Sequence, residues 1–154
     1  TPFLLSPDSG ALPGMRVLQF GFGSEASAKY HLPFSYDPNA VVYTGTHDNN
    51  TVVGWYLEAQ VNADQGRVDL KLCRDYLGGV RRQIHWAMIR EAMKSVANLS
   101  IFPVQDLLGL DGHARMNIPG KATGNWRWRL KENALSGKLA AKMKHTTQTF
   151  NRLP

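Results

Sequence analysis

Two rhythms of apolar residues run along the chain, one continuous over short stretches and one recurring every three or four positions, and they predict different elements. "AVVYTGT" at 40–46 is β-branched and aromatic without alternation, which predicts a strand covered by protein on both faces. "PGMRVLQFGFG" predicts an earlier buried strand through Met15, Val17, Leu18 and Phe20, running into a glycine-interrupted loop. Residues 24–40 have no helical period and predict an irregular surface segment. Helical spacing then takes over. "TVVGWYLEAQ" predicts a helix capped by Asn49, Asn50 or Thr51, and "VDLKLCRDYLGG" a second piece ended by its glycines. In "RRQIHWAMIREAMKSVAN" Ile84, Met88, Ala92 and Val96 recur every four residues beside Ile89 and Met93, giving a wide apolar stripe. "LSIFPVQDLLGL" predicts a third strand, with Pro103, Gln105 and Asp106 marking its end. A long loop, "DGHARMNIPGKATGNWRWRL", precedes a last amphipathic helix through Leu135, Leu139, Met143 and Phe150. This order is that of an α/β fold with a parallel sheet and right-handed crossovers.

Composition narrows the function classes. At 154 residues and 43% apolar content the chain suffices for one globular unit with a sizeable core. The formal charge of +6 is dispersed, with short clusters only at Arg81 and Arg82 and at Arg127, Arg129 and Lys131. Nucleic-acid binding, which needs a basic stripe or a recognisable module, is therefore disfavoured. Cys73 is the single cysteine, which leaves no internal disulfide framework and points to a reducing, cytoplasmic compartment. No apolar run approaches the roughly 18 residues of a membrane span, and "TPFLLSPDSG" lacks the basic start of a signal peptide, so no membrane association is expected. Residue 1 is Thr rather than Met, so the chain reads as a processed product or a piece of something longer.

Candidate chemistry gathers where strands end. Polar residues at the carboxyl ends of parallel strands carry a functional prior in α/β barrels, and His47 and Asp48 follow the second strand in that way. The same pair would also serve as a helix cap and a backbone-satisfied histidine, and position alone does not choose. Gln105 and Asp106 end the third strand similarly, with Asp106 capping "LLGL" as the plainer account. The loop 115–129 mixes Asn117, Asn125, Trp126 and Trp128 with Gly and Pro. That composition suits sugars, whose hydroxyls take amide hydrogen bonds and whose C–H faces stack on aromatics, although tryptophans also simply pack. The histidines and the one cysteine lack metal-ligand spacing, "GFGSEAS" lacks the rest of a phosphate or dinucleotide fingerprint, and no GxSxG elbow occurs. The sequons at Asn49 and Asn98 read as accidental in a reducing compartment.

Five ordered blocks are more specific. "LPGMRVLQFGF", "VVYTGTHDNNTVVGWY", "MKSVANLSIFPVQDLLGL", "ARMNIPG" and "GNWRWRL" resemble the carboxy-terminal part of the 4-α-glucanotransferases, the amylomaltase or disproportionating-enzyme family, over residues 12–130. The resemblance implies that residues 1–154 are the carboxy-terminal part of a (β/α)8 catalytic barrel, with the three strands as its sixth to eighth. It implies transfer of α-1,4-glucan segments to the 4-hydroxyl of acceptor glucans by a retaining mechanism, without metal or organic cofactor. Partners would be maltooligosaccharides or starch- or glycogen-derived glucans, and the amino-terminal part of the barrel. By the match of "GTHDN", Asp48 would be the carboxylate that stabilises the transition state, with His47 its neighbour on the donor sugar. Asn117 would contact sugar near the cleavage point and Phe20 would border the acceptor side. Gln105, Asp106, Asn125 and Trp126 lie in matching blocks as further substrate-binding candidates, some of which would only support loops.

Two departures from the family pattern are local: Asn50 replaces the usual Asp, and Gly112 with His113 replaces a common Ser–Glu pair. The larger one concerns chemistry. The family's nucleophilic Asp and acid/base Glu would precede residue 1, and neither Asp8 nor Glu25 lies in a matching context. A barrel needs about 250 residues, so the chain alone is expected to be an inactive fragment; a remnant or half-protein that only binds glucan is the alternative.

Overall fold

The computed structural model describes residues 12–79 and 82–153. Three strands form one parallel sheet in the order β1 (Gly14–Val17), β2 (Ala40–Tyr43), β3 (Leu99–Ile101). Parallel neighbours need long crossovers. The first is a series of 3-10 turns over Leu18–Phe22, Ala28–His31 and Pro33–Ser35. The second carries α1 (Val52–Val61), α2 (Leu70–Tyr76) and α3 (Ile84–Lys94). After β3 come α4 (Val104–Leu108), a long loop and α5 (Gly137–Thr149). All three strands end at the same edge of the sheet, so their following loops begin side by side.

The register separates two faces. Arg16, Val42 and Ser100 lie across from one another, and this face is covered: Arg16 sits over the Tyr36 ring and Ser100 Oγ donates to the Ala92 carbonyl of α3. Val42 joins Leu18, Phe22, Val52, Cys73, Met88 and Ala92 in the main core. On the opposite face Met15, Val41 and Leu99 align, followed by Val17, Tyr43 and Ile101. There Met15 is 52% exposed, Leu99 50% and Ile101 40%. The expectation that β2 is covered on both faces therefore holds only in part: Val17 beside it on this face is 1% exposed, whereas Val41 and Tyr43 are half-buried, because the described residues cover this face incompletely.

Boundaries depart from the sequence reading in four places. β1 stops at Val17, and the chain coils into a 3-10 turn that sends Leu18 and Phe22 into the core while Phe20 faces out. Gly21 permits that turn, since a Cβ there would lie 2.6 Å from Leu32 Cδ2. β3 stops at Ile101, and Gln105 and Asp106 lie inside α4 rather than on a strand tip. α3 ends at Lys94, leaving Val96 exposed beyond it. Leu135 precedes the Ser136 cap of α5, so the stripe on that helix is Leu139, Met143 and, just past its end, Phe150, packed on Trp86, Ile89 and Met93. The capping expectations fare better: Thr51 Oγ accepts from Gly54 N at the start of α1, and Gly78 and Gly79 adopt positive φ after α2.

Arg152 ties the end of α3 to the segment after α5. Its guanidinium donates to the Met93 carbonyl (2.5 Å), which the helix end leaves without an intrahelical partner, and to the carbonyls of Ser95 (2.6 Å) and Ala97 (2.9 Å) just beyond the helix. Replacing it by Met (Arg152→Met) is expected to lower stability by about 2 kcal/mol, read as a lower urea midpoint at unchanged slope.

Candidate functional site

The loop between β2 and α1 is closed at its base by one carboxylate. Thr44 Oγ donates to Asp106 Oδ2 at 2.6 Å, and Val52 N donates to Asp106 Oδ1 at 2.8 Å. Asp106 is 1% exposed. Burial pushes its pKa above the ordinary carboxylate value, and the bonds from Thr44 and Val52 offset part of that shift. Asp106 thus caps a helix, but it caps α1 and not its own. Gln19, buried in the 3-10 turn after β1, grips the loop from the other side: its backbone N donates to the Thr44 carbonyl and Nε2 donates to the Asn50 carbonyl at 2.9 Å. Gly45 makes room, because a Cβ there would lie 2.6 Å from Gln19 Nε2.

Within the loop Asn49 Oδ1 accepts from both Thr46 N (2.9 Å) and Thr46 Oγ (2.8 Å), which folds the tip and turns His47 and Asp48 outward. Asn50 is buried, its Oδ1 accepting from Thr51 N. The two local departures meet here. A Cβ on Gly112 would stand 3.1 Å from Asn50 Oδ1, so the glycine at 112 and the amide at 50 share one tight contact.

At the tip, the half-exposed Asp48 uses a single oxygen. Asn117 Nδ2 donates to Asp48 Oδ1 at 2.6 Å and His47 Nε2 lies 3.4 Å from the same atom. Among the described residues no hydrogen bond engages Oδ2. Asn117 N also donates to the His47 carbonyl at 3.2 Å, so the two loops are joined by backbone and side chain. The Trp126 ring lies 5.1 Å from that of His47 at 41°. Trp126 adopts φ +61°, a region costly for a bulky residue, and is held by its N donating to Met116 O at 2.7 Å and by Arg129 donating to its carbonyl at 2.8 Å. Arg115 completes the junction, donating to the carbonyls of Asp48 and Asn117.

The remaining candidates stand further from the tip. Gln105 is buried, donates to the Ala114 carbonyl at 3.2 Å, and lines a cavity of about 210 Å³ with Thr46, His47, Asn49, Arg115 and Met116. Asn125 commits its carboxamide to the loop, accepting from Ile118 N and donating to the carbonyls of Ile118 and Lys121. Phe20 is half exposed after β1, edge-on to His31 at 5.4 Å. So His47, Asp48, Asn117 and Trp126 come together, Gln105 walls the cavity behind them, Asp106 lies beneath, and Phe20 stands on the same sheet edge without contacting the cluster. Sequence reasoning did not single out Gln19, Thr44 or Arg115; each adjoins a selected segment, but its partner is distant in sequence. Among the described residues no group of three or more His, Cys, Asp or Glu could hold a metal ion, and no helix is long and apolar enough to cross a membrane.

With this geometry in place, similarity to known proteins decides the family. The 4-alpha-glucanotransferase family model matches residues 7–135. The chain belongs to the 4-alpha-glucanotransferase family. It is 46% identical to the 4-alpha-glucanotransferase of Synechocystis sp. over 94% of its own length and 28% of that protein, and 39% identical to that of Thermus thermophilus over 95% and 29% respectively. A solved structure of amylomaltase from Streptococcus agalactiae in complex with acarbose superposes with a TM-score of 0.79 at 29% identity, covering 93% of this chain and 28% of that one. The chain thus spans under a third of the length of these relatives.

Because the native state holds the Asp106 proton more tightly than the unfolded chain does, its contribution to stability falls as pH rises through its raised native pKa. Asp106→Asn, which keeps an acceptor for Val52 and a partner for Thr44, should remove that dependence. Asp106→Ala should cost about 2–4 kcal/mol at neutral pH by stranding two buried donors. Thermal unfolding followed from acidic to neutral pH checks both.

Proposed function

We propose that this chain is the carboxy-terminal part of a (β/α)8 catalytic domain, with β1, β2 and β3 as its sixth to eighth strands. In the whole enzyme it takes part in transferring α-1,4-glucan segments to the 4-hydroxyl of acceptor glucans. The observation that carries this reading is the state of Asp48: one oxygen tied by Asn117 and His47, the other open at the carboxyl edge of a parallel sheet. The apolar face of Met15, Leu99 and Ile101 supports it as well, since barrel interiors are filled by side chains that only the remaining strands would cover.

Retaining transfer uses a nucleophilic carboxylate and an acid/base carboxyl about 5–5.5 Å apart. Both are assigned to the amino-terminal part of the domain, the partner of this chain. Asp48 supplies the third charge. As the anomeric carbon becomes cationic the ring hydroxyls acidify, and a fixed anion bonded to them grips the transition state harder than the ground state. A carboxylate whose second oxygen is anchored reorganises little when this happens. His47 and Asn117 bond the donor sugar around the same point, Trp126 offers a ring for a sugar face, and Phe20 borders the acceptor. Asp106 and Asn125, whose side-chain polar atoms already bond within the protein, and Gln105, whose Nε2 does, act by holding the loops. The Streptococcus agalactiae amylomaltase was solved with acarbose; maltooligosaccharides and starch- or glycogen-derived glucans are the ligands assigned to the sheet edge here. No metal or organic cofactor enters this scheme. A cytoplasmic location belongs to the same proposal and rests on the lone Cys73, buried in the core with its thiol pKa pushed up to about 12.

The test is disproportionation of maltotriose. The complete domain should redistribute it into longer and shorter sugars, residues 1–154 alone should not, and Asp48→Asn in the complete domain should lower kcat by about 10²–10³-fold with glucan binding still measurable. Turnover retained by Asp48→Asn would refute the role, and a complete domain that binds glucan without transfer would favour the remnant.

A further inference from the structure

We propose that Arg115 is a positioning residue for the transfer reaction, setting the Asp48 carboxylate and the Asn117 carboxamide as one unit without itself touching sugar. The inference rests on the reading of Asp48 given above. Arg115 Nη2 donates to the Asp48 carbonyl at 2.6 Å and its Nε donates to the Asn117 carbonyl at 2.8 Å. Its backbone N donates to the Gly112 carbonyl at 3.2 Å, which fixes the start of the side chain. Asp48 and Asn117 are the residues whose side chains meet at 2.6 Å. The guanidinium therefore clamps the backbones of both partners in the bond that leaves Asp48 Oδ2 open.

The chemistry of arginine fits this task. Two carbonyls on separate loops, the farther one 67 residues away in sequence, are bridged by one rigid planar group with a permanent charge, where an ammonium would serve as a single flexible point donor. Both acceptors are neutral carbonyls, so Arg115 places Asp48 without pairing with its carboxylate and leaves that negative charge for the sugar. The half-buried side chain also lines the cavity that His47 borders. A shift of about 1 Å in a catalytic group costs on the order of 10²-fold in rate, so loss of the clamp should show in kcat more than in affinity.

The experiment compares Arg115→Met and Arg115→Lys with the parent in the complete catalytic domain, by maltotriose kinetics, thermal unfolding and crystal structure. Arg115→Met should lower kcat about 10–100-fold, change KM less than about threefold, and separate Asn117 Nδ2 from Asp48 Oδ1 beyond hydrogen-bond distance. Arg115→Lys should recover only part of kcat, since it reaches one carbonyl at a time. Retention of the Asn117–Asp48 bond in Arg115→Met, a kcat within twofold of the parent, or full activity in Arg115→Lys would overturn the proposal. A parent without glucan transfer, in which Arg115→Met still breaks that bond, would refute the transferase reading while upholding the clamp.

Discussion

The loop between β2 and α1 runs from Thr44 to Val52, the first residue of the helix, and the carboxylate of Asp106 bonds to both, so one buried group fixes the two ends of the segment that carries the tip. Such a group is costly to ionise out of water, and burial is the largest influence on its proton affinity. What offsets the cost is the supply of two donors, one of them a backbone N–H at the start of a helix, which has no intrahelical partner and lies at the positive end of its dipole. The constraint is mutual: the carboxylate needs those donors, and the loop ends need the carboxylate. Gln19 adds a second grip from the 3-10 turn after β1, so the loop is held by the segments that follow both neighbouring strands.

With its base fixed, the loop can carry an exposed acidic tip. Thr46 and Asn49 fold the tip on itself, and Asn117 reaches it from the loop after β3. The consequence is an asymmetric carboxylate, anchored through one oxygen and open through the other. Trp126, in a backbone conformation that costs a bulky side chain on the order of 1–3 kcal/mol, is kept beside His47 by backbone hydrogen bonds and by Arg129.

Much of this is legible in the sequence, and the illegible part has a common cause. Continuous apolar runs mark the strands, four-residue spacing marks α3, and the position of "THD" after a strand marks the tip. The bonds that organise the site span 54, 62 and 69 residues, and no local pattern encodes them. Hence Asp106 reads as a cap on its own helix, and Arg115 and Gln19 do not stand out. Val41 and Tyr43 mislead for a different reason: an apolar run reports that cover is needed on both faces, but the described residues cover the second face only in part. Trp126 in a left-handed conformation lies beyond any propensity argument, because tryptophan is not a residue that turns select.

The central claim is that Asp48 meets the sugar through its unanchored oxygen. A crystal structure of the complete domain with a bound maltooligosaccharide tests it most directly. The account predicts Asp48 Oδ2 within hydrogen-bond distance of ring hydroxyls while Oδ1 stays on Asn117. Glucan bound away from this sheet edge, or an Asp48 carboxylate making no contact with sugar, would contradict it.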